Sequence, residues 1–197
     1  MNPLDPLINS FKKLPGVGER SAQRMAFYVL SMPEKELQTI ASDMVAAKRD
    51  IRFCDCCFNI ATESRCYICL DDERDSSRLC IVSEPKDIFA IEKTASYKGL
   101  YHVLGGLISP LDGIHPESLR IEELLGRVRE QPFTEILFAI SPTVEGDTTM
   151  MYLSSLLDRF SIPMTKLAYG LPIGSNIDYA DEMTLSKAID SRIVISQ

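Results

Sequence analysis

The chain has 197 residues, 45% of them hydrophobic and 25% charged, with six cysteines and no tryptophan. This predicts one medium domain plus a small module and excludes a wholly disordered, collagenous or coiled-coil chain. The net charge is −7, yet residues 1–53 hold 8 Lys and Arg against 6 Asp and Glu, so coating of nucleic acid over the whole surface is excluded and any contact is expected from a local basic patch in the N-terminal quarter.

Unbroken apolar runs such as residues 136–140 are far short of the ~20 residues of a membrane span. The N-terminus has no basic start followed by an apolar stretch, so a cytoplasmic, reducing location without a membrane partner is expected.

Residues 6–13 read as a short amphipathic helix. The run Leu14-Pro15-Gly16-Val17-Gly18 then makes a tight turn whose glycines accept unusual dihedrals and close backbone approach. Residues 19–30 are predicted helical, with Ala22, Met25, Ala26 and Val29 on one face. The open N–H groups and dipole at the start of that helix suit a phosphate. Lys12 and Lys13 precede the turn, and Arg20 and Arg24, four apart, share a helix face. A hairpin used only for packing or oligomerisation would carry the same turn; the basic cluster in an acidic chain favours DNA. The candidate DNA contacts are Lys12, Lys13, Gly16, Gly18, Arg20 and Arg24. Residues 33–52, with Leu37, Ile40, Met44, Val45 and Ala47 at helical spacing, read as a connector helix.

Five of the six cysteines fall between Cys54 and Cys69. In a reducing compartment disulfides explain such a cluster poorly. Cys54-Asp55-Cys56-Cys57 and Cys66-Tyr67-Ile68-Cys69 each contain a C-x-x-C. Two such knuckles supply the four thiolates of a closed, structural zinc site, expected at Cys54, Cys57, Cys66 and Cys69. Four sulfurs leave no open position for water, so catalytic zinc is not expected. Cys56 is spare. A set using Cys56 in place of Cys57 breaks the symmetry of the knuckles, and a reduced cluster or redox pair is the remaining alternative. Cys80, within Leu79-Cys80-Ile81-Val82, reads as a buried core thiol.

From Arg78 onward strands and helices alternate: strands at 79–83, 99–104, 136–140 and 164–168, helices at 87–95, 121–129 and 147–160. This pattern predicts a mostly parallel sheet with helices on its faces. Functional residues then collect at the carboxyl ends of the strands, where Glu84 and the run Ser141-Pro142-Thr143-Val144-Glu145-Gly146-Asp147 lie. His102 reads as an exposed or satisfied strand residue and His115 as a loop residue, neither catalytic. Gly105-Gly106 lacks the rest of a phosphate-loop motif, so ATP hydrolysis is not expected.

These segments resemble a Toprim domain, the fold of topoisomerases, primases and certain nucleases. An active Toprim enzyme carries a Glu after its first strand, as acid–base, and an Asp-x-Asp after a later one, which helps hold magnesium. Glu84 matches the first. The Asp-x-Asp positions fall on Ser141 and Thr143, so the metal site is depleted, although the Glu145-Gly146-acid portion is kept. Glu84 reads equally well as a helix-capping acid before Asp87. The acids Glu84, Asp87, Glu145 and Asp147 are a possible partner site.

The run Leu14 to Ala22 resembles a helix–hairpin–helix motif, which binds the DNA backbone without reading sequence. Helix–hairpin–helix, four-cysteine module and Toprim-like sheet in that order, followed by Leu167-Ala168-Tyr169-Gly170-Leu171-Pro172-Ile173-Gly174 and Tyr179-Ala180-Asp181-Glu182, resemble the RecR family of bacterial recombination mediators. The expected fold is α/β: an N-terminal helical hairpin module at 1–53, a small zinc finger at 54–69, a mostly parallel Toprim sheet with helices on both faces at 77–172, and a C-terminal segment at 173–197 for oligomer contact. The resemblance implies a non-enzymatic DNA-repair protein that binds single- and double-stranded DNA without sequence preference. It implies action with RecO and RecF to help RecA displace single-strand-binding protein at gaps. It also implies a homo-oligomer, a dimer or a tetrameric ring. A magnesium-dependent Toprim nuclease or primase-like enzyme, and an adaptor that binds only proteins, are the alternatives.

Overall fold

The computed structural model describes residues 2–168 and 170–195. Tyr169 of the C-terminal run lies outside them. The chain divides into two compact units, Met1–Ile51 and Arg52–Gln197.

The first unit is three helices: α1 (Asp5–Phe11), α2 (Glu19–Ser31) and α3 (Glu34–Asp50). Ile8 packs on the fully buried Ala22 and Ala26, with Leu4, Leu7, Phe11 and Val17 around them. Alanine at these positions lets α1 and α2 approach closely. Met25 and Val29, expected on the same face, stay partly exposed, because α1 is too short to cover the whole stripe. Before Pro33, Met32 turns to φ −79°, ψ 141°, the extended conformation that a following proline imposes, and α2 ends there. The connector helix forms as expected, but α3 buries no residue at all.

The second unit opens with an antiparallel pair, β1 (Arg52–Phe53) and β2 (Ile60–Ala61), with Phe53 opposite Ile60. A parallel four-stranded sheet follows, built from β3 (Asp75–Val82), β4 (Gly99–Val103), β5 (Glu135–Ala139) and β6 (Met164–Lys166) in the order β4-β3-β5-β6. The connecting helices are α4 (Pro85–Glu92), α5 (Ile121–Glu130) and α6 (Val144–Leu157), and α7 (Glu182–Asp190) closes the chain. No helix among the described residues is long and apolar enough to cross a membrane.

Strand alternation sorts the core into two layers. Leu79, Ile81, Ile136 and Phe138 pack with Leu124, Leu125 and Val128 of α5 and with Leu153 and Leu157 of α6. On the other face Cys80, Val82, Tyr101, Val103 and Ala139 pack with Ile88 of α4 and with Ile68 of the cysteine module. The module therefore serves as a covering layer of the sheet. Cys80 is fully buried, and burial, helped by Asp87, pushes its thiol up to about 12, as befits an inert core sulfur.

Several elements start earlier than apolar periodicity predicts. The strand expected at 79–83 begins at Asp75, because Ser77 O accepts from Thr134 N at 2.7 Å and Arg78 Nε pairs with Glu135 at 2.8 Å. Polar cross-strand bonds carry a strand end that has no hydrophobic signal. The helix expected at 147–160 begins at Val144, where Thr143 caps it.

Candidate metal centre and nucleic-acid interface

In the first C-x-x-C, Cys54 O accepts from Phe58 N at 3.0 Å and Cys54 N donates to Asn59 O at 2.7 Å. Phe58 takes a positive φ of 62° to close this loop. In the second, Cys66 O accepts from Leu70 N at 3.2 Å. These turns aim four sulfurs inward: Cys54, Cys57, Cys66 and Cys69 have ligand atoms within 4.8 Å of one another, and only Cys69 is not fully buried. Cys57 Sγ and Cys66 Sγ lie 3.4 Å apart. A tetrahedron with metal–sulfur bonds of about 2.3 Å has edges of about 3.8 Å, so the set fits a small ion held by four thiolates. Four sulfurs this close compete for protons. Hydrogen bonds from Cys57 and Cys69 drive Cys66 far below the usual thiol range, and the bond to Cys66 pushes Cys57 above it. A divalent cation relieves that competition.

Cys56 is outside the four. It is half-buried and drawn down to about 6, mainly by a hydrogen bond with Cys69, against its burial, with help from Arg127 and Arg65.

At the hairpin turn, Val17 N donates to Leu14 O at 3.1 Å. Pro15 and Gly16 occupy the corner, and Gly16 has φ +77°, the left-handed position that a Pro-Gly turn assigns to glycine. Gly18 is the N-cap of α2 and makes no side-chain cap. An added Cβ there would meet nothing within 4 Å, so nothing packs over the N-cap of α2. Lys13, Arg20 and Arg24 are exposed. Lys12 Nζ sits 2.5 Å from Glu19 Oε2, which neutralises part of its charge; sequence reasoning had no signal for that pair.

At the carboxyl end of the sheet the four acids separate. Glu84 is the N-cap of α4 and forms a reciprocal capping box with Asp87. Asp87 Oδ2 accepts from Glu84 N and from Ser83 Oγ, both at 2.8 Å. Thr143 Oγ1 accepts from Gly146 N at 3.1 Å and caps α6. Gly146 is required: a Cβ there would lie 2.0 Å from Ser141 O. A cavity of about 760 Å³ at this end is lined by Asp87, Ser141, Thr143 and Asp147 from the sheet side and by Asp181, Thr184 and Lys187 from around α7. Glu84 and Glu145 are not among its lining residues. The contribution of α7 to this cavity was not foreseen from sequence.

His102, expected exposed or satisfied, is buried with Nε2 2.8 Å from Arg120 O. Phe58 of the first knuckle sets its ring edge against His102, centroids 5.5 Å apart, and Arg120 lies over the Phe58 ring.

Comparison with known families matches three segments in order: RecR helix-hairpin-helix at residues 4–48, Toprim domain at 77–168 and RecR C-terminal at 170–193. The recombination proteins RecR of Synechococcus elongatus and of a second Synechococcus strain are each 47% identical to this chain over 190 residues, which covers 96% of it and 95% of each relative. Those names describe a recombination protein rather than an enzyme, in agreement with the hydroxyls of Ser141 and Thr143 capping and lining where a Toprim enzyme needs carboxylates. With a shared helical hairpin, Toprim sheet and C-terminal segment, and near-half identity along almost its whole length, this chain belongs to the RecR family of recombination proteins.

Proposed function

We propose that this chain is a DNA-binding recombination mediator whose hairpin module grips the phosphate backbone. The observation that carries this reading is the uncapped, open N-terminus of α2 beside Lys13, Arg20 and Arg24, in a chain that is otherwise acidic. Backbone N–H groups and a helix dipole bind phosphate without reading bases, so single- and double-stranded DNA are both ligands.

The four-cysteine cluster holds zinc, whose preference for four thiolates in a tetrahedron matches this donor set. With no fifth ligand or open position the ion is structural. The protein works in the cytoplasm, acting with RecO and RecF to help RecA load at single-stranded gaps. The Toprim acids Glu84, Asp87, Glu145 and Asp147 face partners rather than magnesium. Exposed Phe27, Tyr28 and Leu30 on α2, and Met44 and Val45 on α3, are apolar surface suited to self-association, in keeping with a dimer or tetrameric ring; the C-terminal segment adds a second contact.

The test is fluorescence anisotropy with labelled single- and double-stranded oligonucleotides. The double variant Arg20→Glu with Arg24→Glu is expected to lose binding to both while keeping its metal content and circular dichroism. Binding equal to the parent would reduce the basic cluster to a solvated helix face and overturn the reading.

A further inference from the structure

Among the described residues, the Arg74 and Arg127 head groups are buried in very different company. Arg74 pairs with Glu92, donates to Gly99 O and has Asp71 beside it. Arg127, on α5, donates through Nη1 to Tyr101 O at 2.6 Å and lies near the Phe133 ring. Its Nε and Nη2 are buried with no hydrogen-bond partner among the described residues. A buried guanidinium with two unanswered donors is costly unless a negative charge stands nearby.

The strand β4 shows where that charge is. It is an edge strand, and its odd-numbered residues turn their backbone groups away from β3. Tyr101 O receives Arg127. Two residues on, Val103 N donates to Cys57 O at 2.9 Å, so the knuckle and the guanidinium dock on the same edge, at residues whose Cα atoms are roughly 7 Å apart along the strand. Four thiolates outweigh one divalent ion, so the loaded cluster is a net negative centre in a buried setting.

We propose that Arg127 is a positioning residue for the metal centre: it supplies the buried counter-charge that retains the ion and ties the cysteine module to β4. This rests on the reading of the cluster as a zinc site. Partners beyond the direct ligands typically contribute 10–100-fold to metal affinity.

The experiment is zinc transfer from the purified full-length protein to a chromogenic chelator, followed in time, for the parent, Arg127→Lys, Arg127→Gln and Arg127→Met. The neutral variants are expected to release zinc about 10-fold faster or more, while Arg127→Lys stays close to the parent. Circular dichroism identifies any variant that fails to fold, and Arg127→Gln, which keeps a donor for Tyr101 O, serves if Arg127→Met does. Folded Arg127→Gln that keeps zinc as long as the parent overturns the inference, as does equally fast loss from Arg127→Lys. A parent that binds no zinc would instead overturn the zinc reading itself.

Discussion

At the scale of single residues, the sulfur atoms divide by geometry. Cys66 lies inside the cluster, 3.4 Å from Cys57, while Cys56 is outside the set of four. Cys66→Ser is expected to lose most bound zinc and several °C of melting temperature, and Cys56→Ser to keep both; elemental analysis with thermal melts checks this. Equal losses would show that Cys56 is a ligand. His102 gives a pH signature. Burial first, with Arg127 and Arg120 adding to it against the bond to Arg120 O, lowers its pKa from 6.5 to about 4. The folded state therefore excludes a proton that the unfolded chain binds below 6.5. Stability from this group is complete above that pH and is lost as pH falls towards 4, by up to roughly 3 kcal/mol. Urea melts at pH 7 and pH 4.5 should show a smaller difference for His102→Phe than for the parent. The alternating strand leaves His102 either exposed or satisfied, and which of the two holds depends on Arg120 and Phe58 arriving from elsewhere in the chain.

At the scale of elements, helix starts were the least legible feature. Periodicity finds the apolar face of α4 and α6 but not their polar first turns. Those turns are set by Glu84 with Asp87 and by Thr143; Glu84 and Thr143 are the positions that the Toprim resemblance singles out. The sequence leaves Glu84 open as a Toprim site acid, a helix cap or a partner contact, and its capping box with Asp87 shows that it caps α4. The retained Glu-Gly-acid run has a similar explanation: α6 begins so close to β5 that Ser141 O fills the space of a Cβ at residue 146. Gly146→Ala must push the helix off the sheet, and chemical denaturation is expected to show a loss of about 2 kcal/mol or more. A loss under about 0.5 kcal/mol would mean that the turn relaxes freely. The connector helix was found by its spacing, yet α3 buries nothing; a hydrophobic stripe states that a face needs cover and not what covers it.

At the scale of the whole molecule, charge is divided as sequence arithmetic indicates, with the basic excess in the hairpin unit. On the proposed function, one patch of Lys13, Arg20 and Arg24, with Lys12 half-spent on Glu19, would make few phosphate contacts, and binding of that size is weak, about 10⁻⁴–10⁻⁶ M at physiological salt. Several patches on one assembly bind far more tightly without any new contact. DNA affinity is therefore expected to fall steeply between 50 and 200 mM salt and to drop when the protein is diluted below the dissociation constant of its assembly. Anisotropy titrations beside light scattering test both. Affinity unchanged across dissociation would show that single chains suffice.

What could be read without coordinates is local in sequence. A C-x-x-C pair, a Pro-Gly turn and a strand–helix alternation each complete their physical logic within a few residues, so the four-cysteine cluster, the hairpin and the α/β class were legible from Cys54 to Cys69, from Leu14 to Gly18 and from Arg78 onward. Tertiary packing settled what depends on distant partners. It laid the cysteine module on the sheet through Ile68 and Val103, closed the carboxyl-end cavity with α7, neutralised Lys12 with Glu19, and left the Arg127 guanidinium buried without a carboxylate. Those outcomes turn on which surfaces meet, and residues far apart along the chain meet only when the fold brings them together.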